Sequence, residues 1–229
     1  MIRVISNTIK SMAILGLLLS FSVSAKDDFP DVTEDGLRRV ADSELNLVYI
    51  ADGVDFSVYN RVWLVDTGVS FEKNWQRDQN RSYSHKVSAK DMERIKAELA
   101  ELFNEVFTEK LQEAGHDLTN EVADDVLIVR PAIVNLNVKA PDTRNVGRGY
   151  QLTESAGDMT LYVELYDSAT GAIIAKAMDL KADRSRGSFQ WQTKGSNRVA
   201  AKRALGDWAD TLIDALSSAQ DSSNSDNEE

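Results

Sequence analysis

The 229-residue sequence has no cysteine, two histidines and three prolines. Without cysteine the chain forms no disulfide and carries no lipid on a cysteine. The histidines, His85 and His116, are too few and too far apart in the sequence to predict a metal site. His116 follows Gly115 and is explained by favourable interaction with a helix C-terminus. The sequence therefore predicts neither a metal ion nor an organic cofactor.

The usual catalytic patterns are missing as well. Ser84-His85 lacks the glycines of a nucleophile elbow. Gly147-Arg148-Gly149 is followed by no predicted helix and lacks the lysine of a phosphate-binding loop. None of the 37 acidic residues is singled out as a catalytic pair. A non-enzymatic protein is therefore favoured, and a hydrolase acting on a cell-envelope polymer is the alternative.

The first residues have the features of a targeting segment. Arg3 and Lys10 precede the apolar run 12–23, and Val23-Ser24-Ala25 is a small-residue cleavage site, so we expect residues 1–25 to be a cleaved signal peptide. An uncleaved anchor is disfavoured because the run is shorter than the roughly 20 residues of a membrane span. The expected location is the periplasm of a Gram-negative bacterium, without a transmembrane segment in the mature chain.

Acidic residues outnumber basic ones. Removal of residues 1–25 leaves 24 lysines and arginines against 37 acidic residues, a net charge of −13. Such a chain repels phosphate backbones, so no nucleic-acid partner is expected.

Residues 221–229 contain no apolar side chain, and we expect 218–229 to be a disordered acidic tail. Residues 26–43 are polar and interrupted by Pro30 and Gly36, which predicts an arm preceding a single α/β domain over 44–217.

A hairpin is the clearest sheet signal. Apolar and more polar residues alternate over 157–166, Asp167 to Gly171 have turn chemistry, and a second strand is predicted over 172–183. Further strands are predicted over 45–50, 61–69 and 126–138. The first is expected at an exposed edge, where it could pair with another chain. Pro131 predicts an edge position or a bulge in the third.

Two amphipathic helices are predicted. Ser88, with Asp91 three residues later, is typical of a helix N-terminus, and Gly115 of a helix end. A closing helix is predicted from Ser196, with an inward stripe of Val199, Leu205, Trp208, Leu212, Ile213 and Leu216. The expected fold is a two-layer α/β (α+β) sandwich: a mixed four- to five-stranded sheet with both helices on one face. The first helix then connects strands 61–69 and 126–138 in parallel.

This topology brings the loops 70–87, 139–156 and 184–195 to one edge of the sheet. They contain ten basic and four acidic residues, together with tryptophan and tyrosine. Arginine beside aromatic rings suits anionic partners, so the predicted partner is an envelope protein, an anionic glycan or a lipid headgroup. The alternative is that the arginines form surface ion pairs and the tryptophans pack beneath the loops. The candidate binding residues are Trp75, Arg77, Arg81, Arg144, Arg148, Tyr150, Arg184, Arg186 and Trp191.

An ordered series of short motifs resembles a bacterial family. The motifs are Asp35-Gly36-Leu37, Val48-Tyr49-Ile50, the run 55–62, Asn74-Trp75, the run 129–132, Val146-Gly147-Arg148 and the run 156–161. Together they resemble domain-of-unknown-function family 3313, whose members are mostly exported envelope lipoproteins. The resemblance covers residues 31–216 and implies an envelope location, with no activity and no catalytic residues to transfer. This chain lacks the lipobox cysteine, which favours a soluble periplasmic form.

Overall fold

The computed structural model describes residues 29–82, 86–139, 151–153, 157–182, 190–192 and 194–226. Predictions on residues 1–25 and on His85 lie outside these ranges. The strands are β1 Arg38–Arg39, β2 Leu47–Ile50, β3 Arg61–Leu64, β4 Gly68–Phe71, β5 Asp117–Leu118, β6 Val126–Val138, β7 Gln151–Thr153, β8 Gly157–Asp167, β9 Ile173–Ala182 and β10 Gln190–Gln192. The helices are α1 Trp75–Ser82, α2 Ala89–Glu113 and α3 Lys194–Asp226, with a 3₁₀ turn at Phe56–Val58.

One mixed sheet forms the centre of the α+β fold. Its order is β1-β2-β9-β8-β6-β3-β5, and β4 also pairs with β6. The sheet thus has eight strands rather than the four to five predicted. The additional strands are short: β1 and β5 have two residues each, and β4 spans the end of the strand predicted over 61–69 and the start of the segment predicted as a loop. Such short pairings leave too little alternation in the sequence to be recognised.

The strands β3 and β4 both run parallel to β6, as the crossover rule predicts. Pro131 lies in an inner strand, so the edge position predicted for it is wrong. The carbonyl of Val129 accepts a hydrogen bond from Val65 N. Pro131 lies two residues further along β6, so its backbone nitrogen points to the same side, towards the neighbouring segment that contains β3 and β4. That neighbour is interrupted between Leu64 and Gly68, and the missing proline N–H therefore costs the sheet little. A register shift with β8 does occur, but further on, between Val134 and Asn137.

Helix α2 has the predicted ends. The Ser88 side chain accepts from Asp91 N and the Asp91 side chain accepts from Ser88 N, which is a complete capping box. At the other end Gly115 has a φ of 89°, its N–H donates to Gln112 O, and His116 N donates to Leu111 O. These two bonds form a Schellman motif.

Helix α3 departs from its prediction at both ends. It begins at Lys194, so Ser196 is not its N-cap, and Val199 is 60% exposed rather than part of the inward stripe. Leu205, Trp208 and Leu216 are buried as predicted. Residues 218–226, for which disorder is predicted, continue the helix. A helix that has already formed can be extended by a turn that buries no residue. The absence of apolar residues near the C-terminus therefore does not reveal that α3 continues there.

Helices α2 and α3 pack on the same face of the sheet. Phe103 and Trp208 meet Ile133 and Leu161 there in one core cluster. The opposite face is partly covered by the arm, whose Leu37 is 1% exposed, while Lys176 on β9 pairs with Asp35 of the arm. The arm also contributes β1, which pairs with β2. Strand β2 therefore does not lie at the sheet edge, contrary to the prediction for residues 45–50.

Candidate binding end of the sheet

Helix α1 lies against the end of β6. Residues 70–87, predicted as a loop, contain this helix, which makes three helices instead of two. Gln79 Nε2 donates to the carbonyl of Val138 at 3.3 Å. Gln76 Nε2 and Asn80 Nδ2 each donate to Val87 O at 3.0 Å. The Gln79 bond holds α1 at the edge of the sheet where β6 ends, and the other two join α1 to the segment before α2.

The two long segments that follow β6 and β9 meet in a small ribbon. Strands β7 and β10 pair antiparallel, with Trp191 opposite Leu152. Because β6 ends, β8 begins and β9 ends at the same edge of the sheet, this ribbon belongs to the edge that carries α1. The β7–β10 pairing brings together parts of two of the three segments whose convergence is predicted. We call this part of the molecule, residues 72–87, 138–158 and 182–194, the basic end.

Basic residues predominate in the described part of the basic end. Lys73, Arg77, Arg81 and Lys86 are exposed and Lys139 is half-buried. Arg77 Nε pairs with Asp78 Oδ1 at 3.0 Å, and Lys86 Nζ donates to Asn80 O. The acidic residues described there are Glu72, Asp78 and Asp158. A positive surface is thus present on a chain of net charge −11.

Trp75 is buried, as in the alternative in which tryptophan packs beneath the loops, and not exposed as a binding residue would be. It is 4% exposed and stacks on Phe71, with ring centroids 4.2 Å apart and planes 19° apart. Its Nε1 and the Oε1 of Gln79 are buried without a hydrogen-bond partner in the described ranges. Trp75 therefore fixes α1 on the sheet and does not offer its ring to a partner.

The remaining candidate residues fall mostly outside the described ranges. The backbone of Trp191 belongs to β10, and the described part of the structure does not include its side chain. The residues beyond the description are Arg144, Arg148, Tyr150, Arg184 and Arg186. Their role at the basic end stays a prediction.

A polar cluster lies on the sheet face opposite the helices. The Tyr162 and Tyr166 hydroxyls donate to Glu164 at 2.8 and 2.7 Å, and Arg130 Nη1 lies 3.9 Å from the same carboxylate. Burial, and then the bond to Glu164, raises the pKa of both tyrosines. Both hydroxyls stay protonated and act as donors within the cluster. The cluster thus links β6 and β8 through the side chain of Glu164 on this face of the sheet.

The described ranges contain no group of three or more histidine or acidic side chains arranged to hold a metal ion. His116 is buried at the end of α2. Within the same ranges, no helix has both the length and the apolarity needed to cross a bilayer.

Sequence reasoning missed α1 because only one of its eight residues is strongly apolar. The available signal was the spacing of Trp75 and Gln79, which are four residues apart and are the buried positions of the helix. Asn74, just before it, has a φ of 66°, a conformation that asparagine tolerates better than most residues.

Comparison with known proteins gives structural and family matches. A PelC dodecamer subunit from Paraburkholderia phytofirmans has a TM-score of 0.37 and 10% identity, over 72% of this chain and 97% of that chain. A DUF330 protein from Xanthomonas campestris has a TM-score of 0.41 and 13% identity, over 73% and 90%. A minor lipoprotein from Acinetobacter baumannii has a TM-score of 0.31 and 11% identity, over 70% and 94%. No curated protein matches the sequence. Residues 31–212 match the family model described as "Protein of unknown function (DUF3313)", and the chain therefore belongs to that family.

Proposed function

We propose that the protein is an exported, non-enzymatic binding module that holds an anionic envelope partner at its basic end. The observation that carries the proposal is the position of α1 beside the end of β6, at the edge where β7 and β10 join the other two basic segments. Loops and short elements supported by a rigid sheet are frequent binding sites. The bond from Gln79 to Val138 O joins the arginine-bearing helix to the sheet, and the bonds from Gln76 and Asn80 to Val87 O join it to the segment that precedes α2.

The charge distribution favours an anionic partner. Lys73, Arg77 and Arg81 are exposed and follow one another at intervals of four residues, while the chain as a whole is acidic. A local positive surface on an acidic protein steers anions to that surface and repels them elsewhere. The partner chemistry is an anionic glycan, a lipid headgroup or an acidic surface of an envelope protein, each of which accepts hydrogen bonds from arginine.

The test is binding of residues 26–229 to two anionic probes, heparin and vesicles that contain phosphatidylglycerol, at low and at moderate salt. The variant replaces Arg144, Arg148, Arg184 and Arg186 by glutamine. The matched control makes the same four-charge change elsewhere, at exposed positions: Arg39, Arg130, Arg198 and Arg203. We expect the wild type and the control to bind in a salt-dependent way and the variant to lose at least ten-fold in affinity.

Two outcomes contradict the proposal. Equal binding by the variant and the control means that the four arginines of the basic end contribute no more to binding than the same charges elsewhere on the chain. The basic end is not an anion site if the wild type binds neither probe and if, in affinity capture from envelope extracts, it retains no protein that the variant fails to retain.

A further inference from the structure

A second, unrelated feature is an apolar cavity between the sheet and the helices. Its volume is about 240 Å³. The floor consists of β2, β8 and β9, and the opposite wall consists of α2 and α3. The residues that line it are Val40, Ser43, Leu45, Val48, Ile50, Phe56, Phe103, Phe107, Leu161, Val163, Leu165, Ala175, Lys176, Ala177, Trp208, Thr211, Leu212, Ala215 and Leu216. None of these belongs to the basic end.

Two alanines on one strand create the space. Ala175 and Ala177 of β9 point to the helices from positions where the neighbouring β8 presents Leu165 and Val163. Ala177 is paired with Val163 on one side and with Val48 on the other, so larger side chains surround it. Protein interiors contain few voids larger than a water molecule, and an unfilled one lowers stability in proportion to its volume. A cavity of this size is therefore expected to have an occupant.

The chemistry of the lining selects an apolar occupant. Only Ser43, Lys176 and Thr211 are polar. Ser43 Oγ accepts from Leu45 N at 3.1 Å, and Thr211 Oγ1 donates to Asp207 O at 2.9 Å. Lys176 is adjacent to the cavity along β9, but its side chain lies on the other face of the sheet, where Nζ pairs with Asp35. A polar ligand would lose its water without gaining hydrogen bonds from these side chains.

The size of the cavity further limits which apolar ligands fit it. It exceeds the roughly 150 Å³ void that binds benzene in an engineered protein core. It is smaller than the approximately 300–1,000 Å³ typical of pockets for drug-sized molecules. Ala215 is exposed at the rim, and residues 40–45 lie opposite α3, so one end of a ligand can remain in water. We propose that the cavity binds a single unbranched acyl chain, with its polar headgroup outside the rim.

The test uses displacement of an apolar fluorescent probe, N-phenyl-1-naphthylamine, from residues 26–229. Displacers are free fatty acids of increasing chain length, a lysophospholipid and a compact planar aromatic compound. We expect the fatty acids to displace the probe more strongly as the chain lengthens, until the cavity is full. Displacement by the lysophospholipid identifies a membrane lipid as a source of the chain, and displacement by fatty acids alone identifies the free acid. Displacement by the planar compound and by no acyl chain contradicts the proposal.

Two variants locate the site. Ala177→Leu fills the floor, and its matched control Ala132→Leu adds the same atoms on the opposite face of the sheet, where Ala132 pairs with Tyr162. Ala215→Trp blocks the rim at an exposed position and therefore leaves the fold intact. We expect either cavity variant to weaken binding of the probe, and of the fatty acids that displace it, at least ten-fold and the control to behave as the wild type. Thermal unfolding and sedimentation accompany each measurement.

Unchanged displacement in Ala215→Trp and in a folded Ala177→Leu overturns the proposal, as does a wild type that takes up no probe. A change of oligomeric state in these variants without a change in acyl-chain binding would identify a second copy as the occupant and equally contradict it.

Discussion

At the scale of single residues, the backbone of a neighbouring strand closely confines Gly157. It opens β8 with a φ of 141°, and a Cβ added to it would lie 1.9 Å from the carbonyl oxygen of Asn137. Both residues adjoin the register shift between β6 and β8, where Asn135 has a φ of 53°. The sequence predicts a strand start at this point. It does not show that glycine is required, because the contact joins residues 20 positions apart that meet only in the folded sheet.

Gly157→Ala should therefore lower the free energy of unfolding by about 3 kcal/mol or more, from backbone strain together with the overlap with Asn137. The matched control is Gly206→Ala in α3, where an added Cβ meets nothing within 4 Å. That change should raise stability by roughly 0.5–1 kcal/mol through helix propensity. Chemical denaturation of both variants provides the measurement. A Gly157→Ala protein as stable as the wild type would refute the close approach.

At the scale of elements, the accuracy of prediction depends on how local the signal is. Helix α2 is predicted to its ends because the Ser88–Asp91 box and the Gly115 stop lie within a few residues of each boundary. The inward stripe of α3 is placed too early in the sequence, since Val199 is exposed and the buried stripe begins at Leu205. Pro131 is misjudged because its tolerance depends on a gap in another strand, which sequence periodicity does not reveal.

Loss of the capping box should be measurable and pH-dependent. Asp91 accepts hydrogen bonds from Ser88 N at 3.0 Å and Ser88 Oγ at 2.6 Å, and these bonds lower the pKa of its carboxyl. A lowered pKa in the folded state means that the contribution is complete above the unfolded pKa of about 3.9 and is lost as the pH falls through the folded value. Asp91→Asn should therefore cost about 1 kcal/mol at neutral pH.

The difference between wild type and Asp91→Asn should shrink when denaturation is repeated in acid, below the folded pKa of Asp91. Glu101→Gln, at an exposed position of the same helix, is the control and should change stability little at either pH. A deficit in Asp91→Asn that persists unchanged in acid would show that packing, not the carboxylate, explains it.

At the scale of the whole molecule, Asp179 connects the two layers. This residue of β9 is 4% exposed. Its Oδ2 accepts from Trp208 Nε1 of α3 at 2.8 Å, and its Oδ1 accepts from Asn46 N at 3.1 Å. Asn46 in turn accepts from Leu180 N at 2.8 Å. The carboxylate thus joins α3, the central sheet and the segment that precedes β2.

Asp179→Ala leaves the buried Trp208 Nε1 without its acceptor, which costs about 1–3 kcal/mol, and removes the acceptor of the more exposed Asn46 N, so the variant should be destabilised by roughly 2–3 kcal/mol. Asp179→Asn retains one acceptor and should lose less. Asp214→Ala, at an exposed position of α3, controls for the loss of an acidic side chain. Equilibrium denaturation measures the free energy of unfolding of the three variants. If Asp179→Asn is less stable than Asp179→Ala, the hydrogen-bond account is wrong.

The parallel pairing of β3 and β6, the β8–β9 hairpin and the side of the sheet that receives the helices are all predictable from the sequence. They rest on alternation, turn chemistry and the handedness of crossovers. The number of strands and the apolar cavity are not predictable in this way. Alanines such as Ala177 are compatible with a filled or an unfilled core, and only the positions of Val48 and Val163 show that space remains beside it.

The ends of the sheet affect how copies of the protein behave at high concentration. The outermost strands, β1 and β5, are two residues long and include Arg38, Arg39 and Asp117. Short, charged outer strands are poor templates for intermolecular β-pairing and oppose fibril growth. The arm that supplies β1 thus protects the chain from self-association. Its removal should convert Leu47–Ile50 into an aggregation-prone edge.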